Sequence, residues 1–240
     1  MSSLRPLTLT PQISRWAEGS CLCCMGHTHV LCTASIHDRV PRFLRGQGSG
    51  WISAEYAMLP RSTSTRQDRE ATKGRQGGRT HEIQRLIGRA LRGSMNLHDL
   101  GERHIKIDCD VLQADGGTRT AAINGGWVAL AWALKKLHLP RPVGITAISC
   151  TWDHQQNLCL DPDFEKDSHA SIDANFIYAE NKGWQEVQCS GEGGTLSSEQ
   201  LSHVLPTAHQ GIQDIWLHQL HALTPIDSPT QISYTNSRPS

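Results

Sequence analysis

The stretch "AAINGGWVALAWALKKL", residues 121–137, constrains the fold more than any other part of the chain. At helical spacing it is apolar almost all the way round, so it has no face to offer water until its two lysines. A helix of that kind belongs in the interior, with neighbours on all sides. Gly125 and Gly126 near its start cost helix propensity but permit a neighbour to approach closely. With 240 residues the chain is long enough to supply those neighbours.

Most of the cover is predicted to be strand. In "HIKIDCDVLQAD" Ile105, Ile107, Cys109 and Val111 point one way while Lys106, Asp108 and Asp110 point the other. Residues 29–36, 51–59, 143–152, 174–180 and 184–190 also read as strands. A second helix lies in "HEIQRLIGRALRGSM", where Ile83, Leu86, Ile87, Ala90 and Leu91 form one apolar stripe. Arg85, Arg89 and Arg92 fall on its opposite, wet face. A last helix starts at the capping-box pair Ser197 and Gln200 and runs through Leu205 and Ile212 towards Leu220. Pro206 should kink or split it. Strands that come in runs, broken by single helices, predict an α+β fold with mostly antiparallel sheets. The chain reads as one domain over residues 1–223, and the polar, Pro/Ser/Thr-rich tail from Thr224 reads as disordered.

"CLCCMGHTHVLC", residues 21–32, has the look of a metal trap, with Cys21 and Cys24 spaced C-x-x-C and His27 and His29 close behind. Zinc needs the two sulfurs to converge on a tight turn. On a strand Cys21 and Cys24 point to opposite faces, and Cys21 shares its face with Cys23. A hairpin turning at "MGHT" is the better reading, with the cysteines as packing residues. No segment has the apolar length of a membrane span, and the N-terminus lacks the core of a signal peptide. The expectation is a cytoplasmic protein whose eight cysteines are reduced thiols, with no membrane partner.

The net charge of zero conceals two lobes. Residues 39–92 hold 12 Lys and Arg against 4 Asp and Glu, a net +8; residues 161–240 hold 3 against 11, a net −8. A strongly basic segment suits an anionic partner, although the two lobes could also neutralise one another across an interface.

Two glycine-rich turns carry the chemistry. In "CDVLQADGGTRTAAINGG" a strand ends at Asp115-Gly116-Gly117 and the buried helix begins just beyond Thr118 and Arg119. Glycine lets the backbone approach a ligand, a helix N-terminus favours an anion, and arginine offers a fork suited to phosphate. The same residues would also make a plain strand-to-helix turn. "KGRQGGRTHEIQ" is a second glycine pair opening a helix, flanked by Arg75 and Arg79.

"VPRFLRGQGSGWISAEYAMLPRSTSTR", "KGRQGGRTHEIQRLIGRALR" and "CDVLQADGGTRTAAI" together resemble the RNase PH family of phosphate-dependent 3′→5′ exoribonucleases. The resemblance runs from about Arg5 to Leu223. It implies two similar β/α halves with antiparallel-rich sheets packed against helices, and a homo-oligomer, a hexamer built as a trimer of dimers. It implies that Arg79 and the turn Gly117, Thr118 and Arg119 bind inorganic phosphate as co-substrate. Arg61, Arg66 and Arg69 look like the family's RNA-gripping residues, with transfer-RNA precursors as substrate. In "EKDSHASIDAN" the resemblance makes Asp167 and Asp173 the catalytic carboxylates and ligands of Mg2+, with Asp167 as general acid or second metal ligand. An extended strand would set these two, six residues apart, on one face. Lys166 stands where the family has an acidic residue, which could weaken metal binding. A catalytically inactive RNA-binding ring subunit is the alternative.

Overall fold

The computed structural model describes residues 4–191 and 193–224. The tail expected to be disordered lies, from residue 225 onward, outside the described residues. Five strands form a first sheet in the order β1-β2-β3-β5-β4: β1 (Leu7–Pro11), β2 (Gly19–Met25), β3 (Thr28–His37), β4 (Trp51–Met58) and β5 (His104–Gln113). All neighbours are antiparallel except β4 and β5. A second sheet has the order β7-β6-β8-β9 and is antiparallel throughout: β6 (Ile145–Trp152), β7 (Leu158–Leu160), β8 (Ile172–Ala179) and β9 (Gly183–Gly191). Four helices complete the fold: α1 (Gly78–Arg92), α2 (Thr118–Lys136), α3 (Phe164–Ser168) and α4 (Ser198–His221).

The all-apolar segment is α2, and every residue from Thr120 to Leu134 is buried. It lies against β2, β3 and β5 of the first sheet and against β6 of the second. Gly125 makes the close approach possible, since a Cβ there would come 2.9 Å from both Cys23 Cβ and Cys32 Sγ. The hairpin cysteines are therefore packing residues. Cys21 and Cys23 are buried on the face of β2 that also buries Met25, whereas Cys24 lies on the other face. Burial pushes the Cys21 and Cys23 thiols well above their usual range, which keeps them inert. The stripe of α1 is buried as expected, and Ile83, Ile87 and Leu91 each contribute about 1.5–3 kcal/mol of burial.

Buried amides lock α2 to the second sheet. Strand β7 pairs only with Cys150–Trp152 of β6, which leaves the rest of that β6 edge without a strand. Asn124 of α2 takes its place: its Oδ1 accepts from Ala147 N at 2.8 Å and its Nδ2 donates to Ala147 O at 2.9 Å. Gln219 of α4 donates to Ile145 O and to Asn124 O and accepts from Thr146 Oγ1. Thus α2, β6 and α4 share one satisfied polar seam inside an apolar core.

Three expectations need correction. Pro206 does not split the last helix, which runs unbroken through it as α4. Pro206 and Ser202 are both exposed, so the carbonyl that loses its donor meets water, while Val204, Ala208, Ile212 and Ile215 hold the helix down on either side of the proline. Arg92 is not on a wet face. It is half-buried, stacked 4.3 Å from the Trp51 ring centroid, and it donates to Ile52 O. Asp167 and Asp173 do not share a strand: the first is in α3 and the second in β8. Their six-residue spacing therefore says nothing about a common face.

Replacing Asn124 with leucine would keep the volume but orphan the Ala147 N–H and C=O. The expected loss is about 2–6 kcal/mol of unfolding free energy, read by urea denaturation.

Candidate active site

The first glycine turn is held from three sides. Gly116 and Gly117 both have positive φ, 75° and 64°, and a Cβ on Gly116 would come 2.4 Å from Pro162 O. Only glycine fits such a position. Thr28, at the start of β3, accepts from Asp115 N through its hydroxyl and donates to Gly116 O. The opening hairpin thus serves as a brace for the turn. Gly117 caps α2, and Thr118 and Arg119 are the first two residues of that helix.

The second turn also opens a helix with glycine, but in an extended conformation, Gly77 having φ −72°. Gly77 caps α1, and Arg79 is exposed in its first turn. Glu70 shapes the approach by accepting from Gly77 N at 3.1 Å and Thr80 Oγ1 at 2.8 Å. Neither α1 nor α2 has a side-chain cap, whereas α3 and α4 are capped by Asp163 and Ser197. The N-terminus of α2 is therefore open to an anion beside Arg119, while that of α1 is shared with the Glu70 carboxylate beside Arg79.

Tyr56 of β4 bonds to the first turn. Its hydroxyl donates to Thr118 Oγ1 at 2.8 Å, so the Thr118 proton is available to another acceptor. Burial raises the Tyr56 phenol, while the Thr118 bond and then the charges of Arg79 and Arg119 act to lower it. Both guanidinium groups thus lie within electrostatic reach of one buried hydroxyl.

Asp167 lies within electrostatic reach of the same two arginines. The Asp167 carboxyl is raised above its usual range by burial and then by the charge of Asp173, against the lowering effect of Arg119, Arg79 and Arg5. Hence Asp173, Arg79 and Arg119 all lie within electrostatic reach of Asp167, although they stand far apart in the chain. Asp173 is oriented by Asn175, whose Nδ2 lies 3.2 Å from its Oδ2. Asn175 in turn accepts from Ser149 Oγ, and Ser149 Oγ lies 3.5 Å from Thr120 Oγ1 in the first turn of α2. Lys166 does not crowd the carboxylates: its Nζ sits 3.6 Å from Asp163. Two mutually repelling, half-buried carboxylates suit a magnesium ion, which takes one or two carboxylates and fills its other positions with water and phosphate oxygens.

Arg61, Arg66 and Arg69 are exposed on the segment that leaves β4. Arg66 pairs with Asp68 at 2.9 Å, both side chains more than half exposed, and the charge of Arg69 reaches Asp110. Sequence reasoning missed Tyr56, Glu70, Ser149 and Asn175. Tyr56 and Ser149 act through partners distant in the chain and leave no mark in spacing, whereas Asn175 stands only two residues from Asp173, at i, i+2 on one strand.

The model of the 3′ exoribonuclease family, domain 1, matches residues 3–135. Ribonuclease PH of Methylocella silvestris is 54% identical over 216 residues, covering 87% of this chain and 91% of that protein. Ribonuclease PH of Rhodospirillum rubrum is 50% identical over 235 residues, covering 93% and 95%. The chain belongs to the RNase PH family. Among solved structures, rice Rrp46 superposes with a TM-score of 0.76 at 19% identity, covering 92% of this chain and 96% of that one. An RNA-bound exosome from Archaeoglobus fulgidus superposes with a TM-score of 0.75 at 18% identity, covering 90% and 88%. These two likenesses establish the RNase PH fold. The family match contains both arginine turns, and the two aspartates fall beyond it.

Replacing Tyr56 with phenylalanine removes the bond that orients Thr118. The expected outcome is a rise of about 3–10-fold in the KM for phosphate with little change in RNA affinity, checked by steady-state kinetics.

Proposed function

We propose that this chain is a phosphorolytic 3′→5′ exoribonuclease, a nucleotidyltransferase that shortens RNA from its 3′ end with inorganic phosphate. One observation carries the reading: two helix N-termini opened by glycine each carry an arginine, and the charges of both arginines and of Asp173 reach Asp167. The relatives named Ribonuclease PH support it.

In this reading Arg79, Arg119, Thr118 and the Gly117 turn hold the attacking phosphate. Its oxygen forms a bond to the last phosphorus of the RNA as the bond from that phosphorus to the 3′ oxygen of the preceding nucleotide breaks. That oxygen takes up a proton, and a nucleoside diphosphate leaves. Both reactants are anions, so the protein contributes mainly alignment and charge neutralisation. Asp167 and Asp173 would hold magnesium, which when bound supplies positive charge against the phosphate oxygens. Arg61, Arg66 and Arg69 grip the RNA backbone leading to the site.

The substrate class is RNA with a 3′ extension, with transfer-RNA precursors as the natural case, acted on in the cytoplasm. The assembly is a ring, a hexamer formed as a trimer of dimers; one structural neighbour is itself part of an RNA-bound exosome. An inactive ring subunit would need neither the arginine turns nor the paired aspartates, so the enzyme reading is favoured.

Incubating a 3′-extended RNA with magnesium, with and without phosphate, should release nucleoside diphosphates only when phosphate is present. Monophosphate products would sink the proposal. Asp173→Asn should abolish turnover and leave RNA binding intact, as seen by gel shift. Replacing both Arg66 and Arg69 with alanine should reduce the slope of log binding constant against log salt by about 1.4, at about 0.7 per lost contact to single-stranded RNA.

A further inference from the structure

Behind the phosphate turn lies an ion pair that the mechanism above does not use. Arg5 stands two residues before β1, at the edge of the first sheet, and Asp161 follows β7 of the second sheet. The Asp161 side chain is entirely buried, and Arg5 meets it from three sides: Oδ2 accepts from Arg5 N at 3.2 Å and Nε at 3.0 Å, and Oδ1 accepts from Nη2 at 2.7 Å. The remaining arm of the guanidinium, Nη1, donates to Asp115 O, the carbonyl that precedes the glycine pair. A Cβ on Gly117 would come 3.3 Å from Arg5 Nη2 and 3.7 Å from Asp161 Oδ1. The fork therefore lies directly beneath the turn.

Asp161 also leads to the carboxylates. The next two residues, Pro162 and Asp163, pack against Gly116, and Asp163 caps α3, which carries Asp167. Asp161 itself adopts a left-handed conformation, φ 49°, with its N–H bound to Ser149 O. A buried carboxylate tied down in this way has one geometry available to it. We infer that Arg5 and Asp161 are positioning residues that set the phosphate turn against the segment bearing Asp167. Neither reaches a reacting atom. Their pairing fixes how far the 117–119 turn stands from the opposing carboxylate, and a misplacement of about 1 Å there can cost on the order of 100-fold in rate.

This inference rests on the assignment of the 117–119 turn to phosphate. The test uses the full-length assembled enzyme with three variants: Arg5→Lys keeps the charge but loses the fork, Asp161→Asn keeps the shape but loses the charge, and Arg119→Lys serves as control. Arg5→Lys and Asp161→Asn should each raise the KM for phosphate about tenfold or more and lower kcat, with the Kd for a 3′-end RNA in the absence of phosphate within about twofold of the parent. General structural damage would not split the two substrates in this way. A phosphate KM within twofold of the parent in both variants overturns the inference. So does an equal loss for phosphate and RNA, or failure of both variants to fold under conditions where the parent is folded. If Arg119→Lys also leaves the phosphate KM unchanged, the phosphate assignment itself falls. If only Arg119→Lys raises it, the positioning role falls alone.

Discussion

The docking of α2 against the open edge of β6 is the contact on which the rest of the molecule depends. Asn124 completes the ladder that no strand reaches, and Gln219 ties α4 into the same seam. A helix apolar on all sides could slide or rotate in a purely oily slot. Two buried amides with fixed partners remove that freedom, because any shift would strand polar groups in the core. Since α2 begins at the 117–119 turn, its depth and rotation decide where Thr118 and Arg119 stand. Core packing and site geometry are thus one problem.

Electrostatics at the site follow from what is left unpaired. Arg89 is engaged by Glu186, Arg141 by Glu180 and Arg5 by Asp161. The two helices that open on the site lack the side-chain caps that α3 and α4 possess. Of these pairs only Arg89–Glu186 joins the basic segment 39–92 to the acidic one, so the two lobes neutralise one another across a single ion pair among the described residues, while Arg61, Arg66, Arg69 and Arg79 stand exposed.

Long periodic segments were legible in the sequence. The alternation of β3 and β5, the stripe of α1, the buried α2 and the capping box of α4 all appear where pattern places them, because each rests on a periodicity spanning many residues. Short elements were not. Strand β1 ends in a proline at a sheet edge, β7 has three residues, and α3 has five. None is long enough to show a period, and each exists because its neighbours hold it. Pro206 misled for the opposite reason: local propensity argued for a break, and burial along α4 prevailed.

By itself the sequence determined the class of fold, the two glycine-arginine turns and, through family resemblance, the pair of aspartates. These depend on residue type and on order along the chain. Only the tertiary structure decided that Tyr56 bonds Thr118, that Asn175 and Ser149 orient Asp173, and that Lys166 turns away to Asp163. The Tyr56–Thr118 and Ser149–Asn175 contacts join different strands and helices, so their partners are chosen by how the sheets pack around α2; the Asn175–Asp173 and Lys166–Asp163 contacts are local in sequence, and only the fold decides which rotamers make them.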